Sequence, residues 1–298
     1  MRFLRLGIAG MRGKIGSGLT PLNAIHFTSA FGTWLGGGTV VVGRDTRVSS
    51  DMVYYAVTTA LLSCGCRVYD AGICPAPLLH FAVPHLKAEG GILIGAGHHP
   101  ADWNAIVPLN RTGAYLNNMQ VQELLDIYHA RQYAVKRWDG TGEMVAMPPE
   151  VADLYVDTVL AQVDAAAIAA RRFKIVSDFC NGSGSILADR FAARLGLEQI
   201  VINSELSGIL PHDPEPRPRS SYQVKSIMRP LAAEAGFVFN SDMSRLAVVT
   251  DSGETLSEEY SFPLVADHLL RRRPGSGIVI TNTCTTRTLD EIVAEIGR

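Results

Sequence analysis

Short runs rich in β-branched residues alternate along this chain with longer stretches that have helical spacing. In the first half we predict strands at residues 39–42, 66–70 and 91–94, with helices at 50–64 and 77–86. Each of these strands is mostly apolar, which is typical of a sheet that is covered by helices on both faces. The alternation therefore predicts layered α/β units that are built from crossover connections.

The same pattern resumes after a segment of different composition. Residues 132–149 contain an Asp-Gly-Thr-Gly run and two adjacent prolines, which interrupt the helical spacing and indicate a linker. A second unit is predicted from helices at 151–170 and 185–195 and strands at 173–178, 199–202 and 236–239. A third unit is predicted from strands at 246–251 and 277–281 and helices at 258–272 and 288–296. So few strands would leave the third sheet incomplete.

The composition excludes several classes of protein. The 298 residues carry 27 Lys and Arg against 29 Asp and Glu, so no overall positive field would draw the chain to nucleic acid or to an anionic membrane. No apolar run reaches the roughly 20 residues that a membrane span needs, and the first residues lack the apolar stretch of a signal peptide. We therefore expect a cytoplasmic protein. The five cysteines are scattered without paired spacing, which indicates buried thiols and neither disulfides nor a zinc site.

Two loops that follow predicted strands carry polar groups suited to chemistry. Residues 43–50 read GRDTRVSS, and arginines next to a helix N-terminus suit a phosphate; the alternative is a capped helix with a structural Arg–Asp pair. Residues 95–104 read GAGHHPADWN, where His98, His99 and Asp102 offer groups for proton transfer or metal binding. The alternative for this loop is a tight turn with surface histidines.

Two further polar stretches lie in the second half. Residues 240–245 read NSDMSR, whose alternate oxygen-bearing side chains can converge on Mg²⁺, although only Asp242 is negatively charged; a plain polar turn is the alternative. Residues 210–220 read LPHDPEPRPRS, whose density of prolines excludes regular structure. Arg217 and Arg219 either surround an anionic ligand or decorate an exposed loop. None of the four stretches decides a function by itself.

Taken together and in this order, the stretches resemble the α-D-phosphohexomutase family, above all its phosphoglucosamine mutase-like and phosphomannomutase-like members. GIAGMRG is similar to the family's GTxGIRG, VVGRDTRVSS to GRDTRxS, and DAGICPAPLL to GxxPTP. GAGHHPADWNA resembles the phosphoserine loop, TASHNPxxxNG. DFCNGSGS resembles DxxNGAG, LPHDPEPRPRS resembles FPxHxPEP, and NSDMSRLAVVTDSGE resembles the metal loop, DxDxDRxxxxDxxG. The resemblance covers nearly the whole chain.

The resemblance implies a fold of three similar three-layer α/β domains and a smaller phosphate-binding domain, with the active site in the cleft between them. It divides this chain into a domain I-like part (residues 1–140), a domain II-like part (150–250) and a partial domain III-like part (251–298), with the fourth domain absent. It also implies intramolecular phosphotransfer, in which a phosphoserine donates its phosphoryl group to a sugar monophosphate and three aspartates hold Mg²⁺.

The chain departs from the family where the reaction takes place. Gly97 stands where the family has its phosphoserine, so the hydroxyl that carries the phosphoryl group is missing. Asn240 and Ser244 replace two of the three metal aspartates and leave only Asp242. Since a hard cation depends on carboxylate charge, we expect Mg²⁺ binding that is weak or absent. Val107 replaces the family's lysine, a candidate general acid or base.

Other positions agree with the family. The matching site residues are Arg12, Arg44, His98, Asn104 and Arg245. The resemblance therefore implies that part of a cleft for the phosphate of a sugar phosphate persists. The family's sugar-selecting loop and its phosphate-binding domain have no counterpart in these 298 residues.

These observations favour a phosphohexomutase-family protein that no longer works as a mutase and that is retained as a sugar-phosphate-binding or regulatory protein. We expect a homo-oligomer or a partner chain to cover the apolar surface of the incomplete third domain. The alternative is an enzyme of altered chemistry on a phosphorylated ligand, in which His98 or His99 replaces the phosphoserine. An active mutase completed by a partner chain is disfavoured, because a partner would not supply the serine missing at Gly97.

Overall fold

The strands and helices of this chain form two sheets with helices packed on their faces. The computed structural model describes residues 4–256, 258–272, 278–281 and 285–296. The strands are β1 (Leu4–Gly7), β2 (Gly10–Lys14), β3 (Gly38–Arg44), β4 (Cys66–Ile73), β5 (Gly90–Ile94), β6 (Trp103–Asn110), β7 (Met144–Ala146), β8 (Lys174–Asp178), β9 (Glu198–Ile202), β10 (Ala235–Phe239) and β11 (Leu246–Thr250). The helices are α1 (Pro21–Trp34), α2 (Ser50–Ser63), α3 (Ala76–His85), α4 (Asn118–Ala130), α5 (Glu150–Leu160), α6 (Ala165–Arg171), α7 (Ala188–Leu195), α8 (Tyr222–Met228), α9 (Glu258–Arg272) and α10 (Thr288–Glu295).

The first sheet has seven strands in the order β1-β2-β6-β5-β3-β4-β7. β3 runs parallel to β4 and β5, and β7 runs parallel to β4, whereas β6 and β2 are antiparallel additions at the other side. Side chains of β3 alternate between the two faces. Val40 and Val42 belong to one buried core with α1 and α2, and Val41 belongs to a second core with α3. Helices therefore cover both faces, as predicted.

The second sheet has four strands in the order β11-β10-β8-β9, with β8 parallel to both β9 and β10. α8 covers one face, where Val224 and Met228 pack with Val238 and Val249 in a third core. α7 lies against the other face. The two layered units confirm the predicted α/β fold class, while the predicted domain boundaries stay predictions.

The structure corrects the predicted start of the third unit. β11 pairs antiparallel with β10, with Leu246 opposite Phe239 and Thr250 opposite Ala235. The physical reason is the tight turn at residues 240–245, which returns the chain directly beside β10. β11 therefore completes the second sheet instead of beginning a third.

Three other predicted segments need correction. The predicted helix at 151–170 is two helices, α5 and α6, because Asp164 accepts a hydrogen bond from the Ala167 N–H and begins a new helix. The predicted linker at 132–149 includes β7, which extends the first sheet. In the predicted strand at 277–281, residues 278–281 form no strand, and Gly277 lies outside the described residues.

Two helices follow the second sheet. α9 contacts β11 and packs against α10. The buried side of α9 consists of Pro263, Ala266 and Leu270. Among the described residues, no helix is both long enough and apolar enough to cross a membrane.

Candidate functional site

A cleft of about 510 Å³ opens where the two sheets meet. Its walls come from the turn between β1 and β2, the loop that follows β5, and the turn between β10 and β11. Seven of the predicted site residues line it: Arg12, Gly97, His98, His99, Asp242, Ser244 and Arg245. The other three predicted residues, Arg44, Asn104 and Asn240, are not part of the lining.

Gly97 brings the loop after β5 against the second sheet. Its φ of +51° lies in the left-handed region, which favours glycine. The Ser241 hydroxyl donates to the Gly97 carbonyl oxygen at 3.0 Å. A Cβ at Gly97 would lie 2.9 Å from Oδ2 of Asp242. The position that corresponds to the phosphoserine therefore faces the remaining metal-loop carboxylate directly.

Arg47 holds the loop after β5 in its conformation. Its guanidinium is buried, and Nε donates to Oδ2 of the equally buried Asp45 at 3.0 Å. The other guanidinium nitrogens donate to the backbone carbonyls of Gly97, His99, Pro100 and Trp103. Burial raises the pKa of the Asp45 carboxyl, and the neighbouring guanidinium opposes that rise. Residues 43–50 thus contain the structural Arg–Asp pair of the alternative interpretation.

Arg44 and Asn104 make their contacts outside the cleft. Nε of Arg44 forms an ion pair with Oδ1 of Asp51 at 2.6 Å. Asn104 is fully buried, and its amide nitrogen donates to the hydroxyls of Ser49 and Ser50 at 2.9 and 3.0 Å. Ser49 makes no side-chain cap on α2, so the predicted cap is absent. Contact of Arg44 or Asn104 with a phosphate stays a prediction. The position of both side chains outside the cleft does not favour it.

His98 and His99 form one wall of the cleft, with ring centroids 4.5 Å apart. His99 also packs on Trp103 at 5.1 Å, and its Nδ1 donates to the Ala96 carbonyl oxygen at 3.0 Å. Burial lowers the pKa of both imidazoles, and the positive charge of Arg245 adds to the effect at His98. Both rings are therefore neutral at pH 7, and Nε2 is the unprotonated nitrogen of His99.

The turn at residues 240–245 closes on itself through hydrogen bonds. Oδ1 of the buried Asn240 accepts from the Arg245 N–H at 3.0 Å, so its Nδ2 donates to the Ser244 hydroxyl at 3.0 Å. The Ser244 hydroxyl in turn donates to Oδ1 of Asp242 at 2.6 Å. Within the described ranges, no group of three or more His, Cys, Asp or Glu side chains is arranged to hold a metal ion.

Two arginines bring positive charge to the cleft. Arg12 lies on β2, and no acidic side chain among the described residues forms an ion pair with it. Nη1 of Arg245 donates to Oε1 of Glu215, and Oε2 of the same carboxylate accepts from Arg217 at 3.1 Å. Arg219 pairs with an aspartate of its own loop at 2.5 Å. Arg217 and Arg219 therefore neutralise acids of their loop and do not line the cleft.

His212 fastens the loop at residues 210–220 to the second sheet. Its Nε2 donates to Oδ2 of the buried Asp178 at 3.0 Å, and its Nδ1 donates to the Asp213 carbonyl oxygen at 2.9 Å. Burial alone would lower the pKa of His212, but its hydrogen bonds with Asp178 and Cys180 and the negative charge of Asp178 together outweigh burial and raise that pKa to about 11. The ring is therefore an imidazolium, in agreement with its two donated hydrogen bonds.

Comparison with known proteins identifies the ancestry of this fold. The sequence profile described as "Phosphoglucomutase/phosphomannomutase, alpha/beta/alpha domain I" matches residues 4–134, and the profile for domain II matches residues 153–253. The chain belongs to the phosphoglucomutase/phosphomannomutase family. The family membership predicted from the motifs is thereby confirmed.

Several relatives in this family are longer than the chain. It is 32% identical over 297 residues to the "Phosphoglucomutase/phosphomannomutase" of Thermococcus kodakarensis, covering 98% of this chain and 64% of that protein. It is 31% identical to the "Probable phosphoglucosamine mutase" of Pyrococcus abyssi, covering 98% of this chain and 63% of that protein. A solved phosphoglucomutase/phosphomannomutase family protein from Burkholderia thailandensis superposes with a TM-score of 0.83 at 30% identity, over 96% of this chain and 63% of that one.

Two residues that shape the cleft are not singled out by sequence analysis. Arg47 shares its stretch with Arg44, and the sequence does not show which arginine turns beneath the loop after β5. Ser241 joins the two units through its bond to Gly97, yet the family's metal loop draws attention to the residues on either side of it. In both cases the residue lies within a motif that the sequence reveals, but the sequence does not show in which direction its side chain turns.

Proposed function

We propose that this phosphoglucomutase/phosphomannomutase family member binds a phosphorylated sugar in the cleft without transferring its phosphoryl group. The observation that carries the proposal is Gly97. A residue without a side chain offers no oxygen to carry a phosphoryl group, and the Asp242 carboxylate lies 2.9 Å from where a Cβ would stand. Nucleophilic catalysis needs such an atom next to the substrate.

The proposal includes Mg²⁺ binding that is weak or absent, although the family uses this metal. Mg²⁺ requires several oxygen ligands and is bound through carboxylates in most proteins. Here the Asn240 oxygen already accepts from the Arg245 backbone, and one oxygen of Asp242 accepts from Ser244. The turn at residues 240–245 thus satisfies its polar groups without a cation, and its donor set does not fit Mg²⁺.

The retained cations support binding of an anion. Arg12 presents a guanidinium to the cleft, and guanidinium groups match the geometry of phosphate oxygens. The neutral imidazole of His98 can donate a hydrogen bond to the same group. Recognition of a phosphate would therefore rest on Arg12, His98 and Arg245, while the transfer machinery is missing.

A second candidate function is altered chemistry at the same site, with His98 or His99 as nucleophile. It is supported by two observations: both imidazoles line the cleft, and burial lowers the pKa of both, which leaves a ring nitrogen unprotonated. A covalent phosphohistidine after incubation with a phosphoryl donor would decide for this candidate. The predicted cytoplasmic location stays a prediction.

We also propose a protein partner, either a second copy or another chain, on the surface of α9. Four of its apolar side chains are at least 45% exposed: Phe262, Leu264, Val265 and Leu269. Exposed apolar side chains that lie together on a surface mark a site of protein–protein contact. Light scattering of the wild type and of Leu264→Glu tests this, because a homo-oligomer should dissociate in the variant, and a monomeric wild type would exclude self-association.

The binding proposal is tested by calorimetry with glucose 6-phosphate, mannose 6-phosphate and glucosamine 6-phosphate. We expect saturable binding by at least one of them, and a loss of affinity of about tenfold or more in Arg12→Met, since a charged hydrogen bond contributes roughly 1.5–3 kcal/mol. Arg111→Met serves as the control, because Arg111 is exposed and lies outside the cleft. Equal affinity of the wild type and Arg12→Met, or no binding at all, would contradict the proposal.

A further inference from the structure

We infer that the cleft selects a phosphorylated ligand whose phosphate adjoins an apolar group, rather than an unmodified hexose phosphate. The inference rests on the proposed function and narrows its ligand class. It follows from the floor of the cleft, where Leu93, Ala105 and Val107, each at most 9% exposed, adjoin Arg12.

The strand register places the cation of Arg12 beside an apolar strip. Arg12 on β2 is directly opposite Ala105 on β6, and Leu93 on β5 is directly opposite Val107 on β6. Opposite residues in antiparallel strands share a face, and so do alternate residues of one strand. Ala105, Val107 and Leu93 therefore continue the surface that begins at Arg12, and all four line the cleft.

This strip offers no partner to a hydroxyl group. Val107 stands where the motif comparison places the family's lysine, and its neighbours on the strip are Ala105 and Leu93. The backbone groups of β5 and β6 bond to each other along this stretch. A sugar hydroxyl that lost water on this strip would find no new partner there, which lowers its affinity, whereas an apolar group would gain affinity from burial.

The rim of the cleft continues the apolar character. Ile8 in the turn between β1 and β2 is 51% exposed, and Tyr115 is 48% exposed. Both line the cleft together with the strip. An apolar group that contacts Ile8 or the ring of Tyr115 removes further apolar surface from water. The site thus combines the cation of Arg12 with an apolar strip on its floor and with the apolar surface of Ile8 and of the Tyr115 ring.

Calorimetry with phenyl phosphate, glucose 6-phosphate and inorganic phosphate tests the inference. We expect phenyl phosphate to bind at least about tenfold more tightly than glucose 6-phosphate, which corresponds to one unpaired buried hydroxyl. Val107→Lys should remove that preference. Val48→Lys makes the same chemical change at a side chain that is 79% exposed and outside the cleft, and it should leave the preference intact.

The outcomes separate this inference from the proposed function. If glucose 6-phosphate binds as tightly as phenyl phosphate, the inference is overturned while the cleft remains a sugar-phosphate site. If none of the three anions binds, the proposed function fails with it. If circular dichroism shows that Val107→Lys does not fold, Val107→Thr is measured in its place, since this variant keeps the shape of the side chain and adds one hydroxyl. Val107→Thr should lower the ratio of the affinity for phenyl phosphate to that for glucose 6-phosphate, and an unchanged ratio would refute the role of the strip.

Discussion

Replacing Arg47 by Met should unfold or loosen the loop that carries Gly97 and the two histidines. The change removes five hydrogen bonds, one to Asp45 and four to backbone carbonyls of that loop. Breaking a buried ion pair by removing one partner costs about 3–5 kcal/mol, because the other charge remains buried without compensation. Pro100 is exposed, so its carbonyl can regain a hydrogen bond to water. We therefore expect a total loss of about 3–5 kcal/mol in the free energy of unfolding.

Urea denaturation followed by circular dichroism measures this loss in the free energy of unfolding. Arg44→Met is the matched control from the same stretch, because Arg44 pairs with Asp51, a carboxylate that is largely exposed. Such a surface pair contributes about 0–1 kcal/mol. The double variant Asp45→Asn/Arg47→Met should be more stable than Arg47→Met alone, since no uncompensated charge then remains.

The pH dependence of the free energy of unfolding provides a second test of the Asp45–Arg47 pair. Burial raises the pKa of Asp45, and removing the guanidinium of Arg47 should raise it further. A carboxyl with a raised folded-state pKa contributes stability below its unfolded pKa of about 3.9, and that contribution is lost as pH rises through the folded pKa. Arg47→Met should therefore lose more stability at pH 8 than at pH 5. A cost below about 1 kcal/mol, or the same cost at both pH values, would refute the reasoning.

Three further predictions concern the cleft and its support. Gly97→Ser should restore no mutase activity in a coupled assay with Mg²⁺ and should lower the free energy of unfolding by about 1–2 kcal/mol, because a side chain at φ +51° is strained; clear turnover would contradict this. In calorimetry the double variant Asn240→Asp/Ser244→Asp should bind Mg²⁺ at least about tenfold more tightly than the wild type, since it restores two carboxylates; equal affinities would show that the charge is not what the turn lacks. The imidazolium of His212 stabilises the fold fully below its unfolded pKa of about 6.5, and this contribution should disappear as pH rises through about 11. His212→Gln should therefore show a melting temperature that is lower at pH 6 but closer to that of the wild type at pH 11, and parallel profiles would exclude the ion pair with Asp178.

The sequence predicts the central strands β3 and β5 well, because both are largely buried and read as apolar runs. The parallel edge strand β7 has only three residues and is hidden in the predicted linker. β6 escapes detection for a local reason. It begins at Trp103, inside the polar stretch at 95–104, which indicates a loop. It also contains Pro108, a residue that disfavours a central strand, so its apolar pattern does not indicate a strand. β11 is detected but misplaced, since an apolar run does not reveal whether it pairs with the preceding strand or opens a new sheet.

For the site, motif spacing predicts which loops meet but not which side chains enter the cleft. Arg44 is the last residue of β3 and turns to Asp51, whereas Arg47 follows in irregular chain and passes beneath the neighbouring loop. Asn104 matches the family motif and yet is fully buried. Direction is set by strand register and by tertiary hydrogen bonds, which residue type and spacing do not encode.

The central claim is that the cleft binds a phosphorylated ligand and transfers nothing. The most direct measurement is to incubate the purified protein with Mg²⁺ and a radiolabelled hexose bisphosphate, and then to count the label that remains on the denatured protein. The account predicts no label above that of a heat-inactivated sample, because Gly97 offers no atom to carry a phosphoryl group. Label that approaches one phosphoryl group per chain and that disappears in His98→Ala or His99→Ala would contradict the account and establish a histidine nucleophile.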